Sequence, residues 1–106
     1  MSALEITKEN FEVEVLKSDK PVLLDFWSER CAPCRMVSPL VEELAGEVTE
    51  AKMGKINVDE QPELAREFKI MSIPTLTVVK DGKVVKVSVG ARPKADIKAL
   101  LDEFIG

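Results

Sequence analysis

The chain is expected to fold as an α/β domain, a mixed β-sheet with helices on both faces. Residues 21–27, PVLLDFW, form a nearly unbroken apolar run of strand length, the pattern of a central strand covered on both sides. Strand-like runs alternate with stretches whose apolar residues recur at helical spacing, the order that builds a layered α/β core. Near the C-terminus, Asp81-Gly82 stands between TLTVVK and KVVKVSV. A two-residue turn of that composition, with positive φ at both positions, joins its strands antiparallel.

Taken in order, Thr7 is placed to cap a short helix carrying Phe11 and Val15, and the strand over 21–27 follows. The next helix opens at Cys31-Ala32-Pro33-Cys34. Its apolar stripe is Met36, Val37, Leu40, Val41 and Leu44, with Pro39 expected to kink it and Gly46 to end it. A strand near 51–58 comes next. Asp59 is positioned to cap a helix bearing Leu64 and Phe68, and Pro74 leads into the strand TLTVV. After the hairpin, Ile97, Leu100, Leu101, Phe104 and Ile105 give a last helix, from Pro93 to Ile105, that covers the sheet. No repeat or linker interrupts this order, and 106 residues with 45% hydrophobic content suit one domain, 1–106, with one core.

Charge and patterning exclude several classes. The net charge is −4 and no run of Lys or Arg forms a basic stripe, so nucleic acid is not an expected partner. The segment MSALEITKEN is charged at Glu5 and Lys8 and has no apolar signal region. No stretch approaches the roughly 20 apolar residues of a membrane span. A soluble, cytoplasmic protein without a membrane partner is expected. Both cysteines fall in one motif and none is left for a structural framework, which agrees with a reducing compartment.

Cys31 and Cys34 are the only cysteines. In a helical turn, residues three apart have Cα atoms roughly 5 Å apart, inside the roughly 4.4–6.8 Å range of a disulfide, so the pair can open and close without unfolding the chain. As a staple the bridge is weak: a four-residue loop gives roughly 2 kcal/mol against about 3 for 15 residues. Half of a zinc site would need two more ligands, and the chain has no His and no third Cys; a four-cysteine iron–sulfur cluster fails the same count. Closure of a metal site by carboxylates or a second subunit, and two inert core cysteines, remain as alternatives. Against inert thiols stands position, because Pro33 suits a first helical turn and a cysteine just ahead of it lies at the helix's positive end.

Asp25, Phe26 and Trp27 before the motif, then Cys31, Pro33, Cys34 and Pro39, then Lys55, Asp59, Ile73-Pro74-Thr75, Gly82 and Gly90-Ala91, together resemble the thioredoxin family over nearly the whole chain. The resemblance implies a central mixed sheet of about five strands flanked by about four helices on both faces. It implies a protein disulfide reductase with no cofactor besides its own redox-active Cys31–Cys34 disulfide, with Cys31 attacking and Cys34 resolving. Its partners would be a thioredoxin reductase and disulfide-containing target proteins, and it would act as a monomer. The helix N-terminus, with Arg30 and Arg35 nearby, should favour the Cys31 thiolate.

Asp25 stands among Val22, Leu23, Leu24, Phe26 and Trp27, so burial should raise its proton affinity toward that of a useful base for Cys34; a strand-end carboxylate reaching solvent or a cation is the ordinary alternative. Lys55 resembles the family's partner lysine for that aspartate, though most lysines are simply solvated. Trp27 is either core or, as the resemblance implies, packing beside the thiols. The resemblance further implies a cis Ile73-Pro74 bond, an Ile73 backbone able to pair with an extended target segment, and a shallow docking surface including Ala32, Pro33, Val58, Gly90 and Ala91. Two residues depart from the family's usual WCGPC: Arg30 for Trp and Ala32 for Gly. Neither removes a reacting group. Arg30 puts a cation beside the thiolate and bears on partner choice, and Ala32 bears on redox poise. A binding or assembly module on the same fold, with incidental thiols, is the alternative from another class; the intact motif with Asp25 and Pro74 argues against it.

Overall fold

The computed structural model describes residues 2–105. In chain order, strand β1 (Leu4–Glu5) and a π-helical segment (Glu12–Leu16) precede strand β2 (Val22–Trp27), helix α1 (Cys34–Glu47), strand β3 (Lys52–Asn57), helix α2 (Pro62–Glu67), strands β4 (Thr75–Lys80) and β5 (Lys83–Val89), and helix α3 (Lys94–Asp102). The strands form one mixed sheet in the order β1-β3-β2-β4-β5, with β3 parallel to β1 and β2, and β4 antiparallel to β2 and β5.

β2 is the axis of this arrangement. Val22, Leu23, Leu24 and Phe26 are fully buried, and the two-residue alternation of a strand divides them between two layers. Leu23 packs with Val37, Val41 and Leu44 of α1 and with Ile97 and Leu101 of α3. Val22, Leu24 and Phe26 join Ile6, Val15, Ile56 and Leu64 on the opposite face, where Phe68 stacks on Phe26 at 5.2 Å between ring centroids. Asp25, one position from Leu24, therefore points into the α1 layer.

Several local expectations are corrected. Thr7 does not cap the first helical segment, which has no side-chain cap; Asn10 instead folds back on the preceding turn, Oδ1 accepting from the Thr7 N–H at 2.8 Å and Nδ2 donating to the Glu5 carbonyl at 2.9 Å. α1 does not stop at Gly46: it continues through Pro39 and Gly46 to Glu47, because buried Val48 closes it, with its N–H on the Leu44 carbonyl at 2.8 Å. Met36 is 68% exposed, since the inward stripe of α1 runs Cys34, Val37, Val41, Leu44. Asp59 does not cap α2, which begins at Pro62 after Gln61; Asn57 Oδ1 instead accepts from the Asp59 and Glu60 N–H groups. β1 adds a strand with no signature in the sequence, two residues being too few to display a period. The hairpin is as expected, with φ of 53° at Asp81 and 76° at Gly82.

Gly54 marks the tightest approach between strand and core. A Cβ there would sit 2.7 Å from Ile6 Cγ1 and 3.2 Å from Leu24 Cδ2, so β1 and the layer beneath it close over a residue without a side chain. Gly54→Ala is expected to cost about 1–3 kcal/mol by overpacking, read as a lower urea midpoint with an unchanged slope.

Candidate active site

The sheet topology gathers the sequence-predicted residues at one end. β2 ends at Trp27, and the chain turns through Ser28–Pro33 into α1. β4 is antiparallel to β2 and so begins at the same end, where Thr75 faces Phe26 and Pro74 lies just outside the ladder; the Ile73–Pro74 bond is cis. β5 returns to this end, and the Gly90 N–H donates to the Pro74 carbonyl at 2.8 Å. β3 arrives alongside, with the Val58 N–H on the Trp27 carbonyl at 2.9 Å.

Cys31 and Cys34 form a disulfide with Cα atoms 5.3 Å apart. Cys34 is the first residue of α1 and only 1% exposed, whereas Cys31 sits half-buried in the turn ahead of it. The Cys34 backbone N–H, one of the unpaired donors of the first turn, points at Cys31 Sγ from 3.2 Å. The Ile73 carbonyl oxygen lies 3.7 Å from the same sulfur. Ala32 and Pro33 are exposed beside the bridge.

Two clefts flank the disulfide. On the Cys31 side a groove of about 470 Å³ is walled by Arg30, Val58, Asp59, Ile70, Met71 and Ile73, and Met71 is almost fully exposed. On the Cys34 side a cleft of about 320 Å³ holds Trp27, Arg35, Ser38 and Lys55. Trp27 thus belongs to the Cys34 side and does not line the groove at Cys31. Ala91 lies apart from both, in a third depression with Met36, Leu40 and Pro93.

Arg30 and Arg35 are nearby, and each guanidinium donates to an oxygen of the surrounding loops. Arg30 Nη2 donates to Asp59 Oδ1 at 2.9 Å, and the other carboxylate oxygen accepts from Ser28 Oγ at 2.6 Å. The bonds from Ser28 and Arg30 hold the Asp59 carboxyl below its usual range. Arg35 Nη2 donates to the Glu29 carbonyl. The backbone donor of Cys34 joins these cations in the surroundings of Cys31, and Arg30 also ties the cysteine turn to the loop after β3. The Ser28 and Asp59 anchors were not read from the sequence as part of the site; the only signal for them is the chemistry of a cation in a position where the family's usual motif carries Trp.

Asp25 has no exposed surface. Ser38 Oγ donates to Oδ2 at 3.1 Å, and Oδ1 has no partner among the described residues. Desolvation pushes the Asp25 carboxyl up to about 6, opposed by the Ser38 bond and by the charge of Lys55. Lys55 stands opposite Asp25 in the β2–β3 register, with Nζ 5.1 Å from the Trp27 ring centroid and 4.0 Å from Glu42 Oε2. Neither Ser38 nor Glu42 belongs to the motifs that mark the site in the sequence. Spacing held a signal for both, since Ser38 is one turn beyond Cys34 and Glu42 one turn beyond Ser38 on α1.

Among the described residues no three His, Cys, Asp or Glu side chains come together to hold a metal. No helix among them is long and apolar enough to cross a membrane.

A five-stranded mixed sheet with helices flanking it, ending in a cysteine pair at disulfide distance on a helix N-terminus, defines a thiol–disulfide oxidoreductase. The chain belongs to the thioredoxin family, whose model matches residues 2–103. It is 50% identical over 103 residues to a protein of Chlorobaculum tepidum called "Thioredoxin 2", spanning 96% of this chain and 94% of that one. A "Thioredoxin" of Mycobacterium tuberculosis is 45% identical over 105 residues, 98% of this chain and 90% of that one. Another from Porphyra purpurea is 44% identical over 106 residues, 99% of each.

The burial of Asp25 has a thermodynamic consequence. Its proton affinity is higher folded, at about 6, than the ordinary 3.8, so between those pH values the folded state holds a proton that the unfolded state has released. Stability then falls as pH rises, by up to about 3 kcal/mol once pH exceeds 6. Removing the charge should return part of this. Asp25→Asn is expected to stabilise the disulfide form by about 1–3 kcal/mol at pH 8 and by little at pH 4, measured by urea unfolding at both values.

Proposed function

We propose that this thiol–disulfide reductase works as a single thioredoxin domain in which Cys31 attacks and Cys34 resolves. The observation that carries the assignment is the unequal setting of the two sulfurs, Cys31 half-exposed at the groove and Cys34 1% exposed behind it. The Cys31 thiolate attacks one sulfur of a target disulfide; that bond breaks as a Cys31–target bond forms, and the other target sulfur leaves as a thiolate and takes up a proton. Cys34 then gives its proton to Asp25, and its thiolate attacks Cys31 Sγ. The Cys31–target bond breaks, the second target sulfur leaves, and the Cys31–Cys34 disulfide remains. The target gains two electrons and this chain loses two.

Asp25 suits the role of base because it is buried on the α1 face with its proton affinity near neutral pH and one oxygen unpaired. Lys55 tempers that charge from β3 and packs on Trp27, which covers the Cys34 side. The target segment lies extended along the Cys31 groove, pairing with the Ile73 backbone beside Pro74, against Ala32, Pro33 and Val58, with Gly90 next to Pro74 and Ala91 in the neighbouring depression extending the surface. Arg30, held by Asp59, shapes the groove mouth and contributes to the choice of target and of the thioredoxin reductase that returns the two electrons. The protein works as a monomer in the reducing cytoplasm and serves redox homeostasis with its own disulfide as its redox group; the confinement of both cysteines to the reacting motif supports the reducing compartment.

Replacing each cysteine separately tests the division of labour. Cys34→Ser is expected to accumulate a mixed disulfide with a protein-disulfide target such as insulin, visible as a non-reducing adduct, and Cys31→Ser is not. Equal adducts from both variants would reverse the assignment.

A further inference from the structure

We propose that Ser38 is a positioning residue for the exchange reaction: its hydroxyl fixes Asp25 beside Cys34 and sets the pH range over which that carboxylate accepts the Cys34 proton. The inference rests on the reading of Asp25 as the base. Three features relate Ser38 to both groups. It lies four residues after Cys34, so both side chains occupy one face of α1. It shares with Cys34 the cleft beside Trp27 and Lys55. Its Oγ donates to Asp25 Oδ2 at 3.1 Å, whereas a serine inside a helix ordinarily turns back to the carbonyl four residues earlier.

The bond engages one carboxylate oxygen and leaves the other, Oδ1, buried and unpaired. An ionised carboxylate with one oxygen fixed and one free is oriented to take a single proton at the free position. Few other groups act on it. Lys55 from β3 and Glu42 from α1 bring opposite charges. Leu76 pairs with Asp25 from β4, and α3 presents Ile97 and Leu101 to this layer, none of them titratable. Ser38 is therefore the one neutral donor to the carboxylate among the described residues. A donor to the ionised form favours that form, and its loss raises the proton affinity by about one pH unit.

Kinetic pH profiles separate this role from a packing role. Single-turnover reduction of a small peptide disulfide, followed by release of the second peptide thiol between pH 5.5 and 8.5, is measured for the unaltered protein, Ser38→Ala, Ser38→Thr and Asp25→Asn. With the Asp25 midpoint at about 6 in the unaltered protein and about one unit higher in Ser38→Ala, release slows about fivefold at pH 6 and hardly at all at pH 8. Ser38→Thr, which keeps the hydroxyl, follows the unaltered profile. A Ser38→Ala profile superimposed on the unaltered one, or lowered equally at every pH, overturns the role of Ser38 if Asp25→Asn still abolishes the pH-dependent limb. An unchanged profile in Asp25→Asn overturns the base assignment itself, and the Ser38 inference with it.

Discussion

Strand β2 has no solvent-facing side, and the chemistry of the site depends on that fact. Five consecutive residues, Val22 to Phe26, are buried, and the fourth of them is an aspartate. Because side chains alternate, Asp25 cannot relieve its desolvation by turning: one face holds Phe26 and Leu24 against the π-helical segment and α2, and the other lies beneath α1. A carboxylate held in that layer raises its proton affinity instead. The same register that traps it sets Lys55 opposite on β3, and the helix above it supplies Cys34 and Ser38. Core packing and acid–base chemistry thus use the same contacts.

The division between the cysteines follows from where the helix begins. α1 starts at Cys34, which places that sulfur in the first turn and in the core, while Cys31 stays in the preceding turn at the edge of the groove. Unpaired N–H groups of a first turn seek an acceptor, and one of them finds Cys31 Sγ. Backbone geometry, independent of the surrounding charged side chains, directs a donor to the sulfur placed to attack. The arginines also have structural partners, Arg30 through Asp59 and Ser28 fastening the cysteine turn to the loop that leads into α2.

The elements with a strong period or a strong turn signal were legible in the sequence: the doubly covered strand at PVLLDFW, the α1 stripe from Val37 to Leu44, the Asp81-Gly82 hairpin and the helix bearing Ile97 and Leu101. Fold class and the cysteine pair follow from these. What escaped depends on choices among nearby partners. Asn10 and Asn57 bond the turns ahead of the two short helices, which themselves carry no side-chain cap, so the capping expected of Thr7 and Asp59 does not occur. Gly46 stayed helical because Val48 had a place in the core. No motif in the sequence around Ser38 marks it as a site residue, and only the packing of α1 on β2 brings it to a carboxylate. Arg30 pairs with a residue 29 positions away, a contact no local pattern announces.

Asp25 is a buried carboxylate whose environment, more than any single neighbour, lifts its proton affinity. Carbon-13 NMR of the Asp25 carboxyl in the disulfide form, followed from pH 3 to 9 with Asp25→Asn to assign the signal, reads this directly. A midpoint near pH 6 is predicted. A midpoint near the ordinary 3.8 would contradict the account, because it would mean that solvent or a cation reaches the carboxylate that the fold is held to enclose.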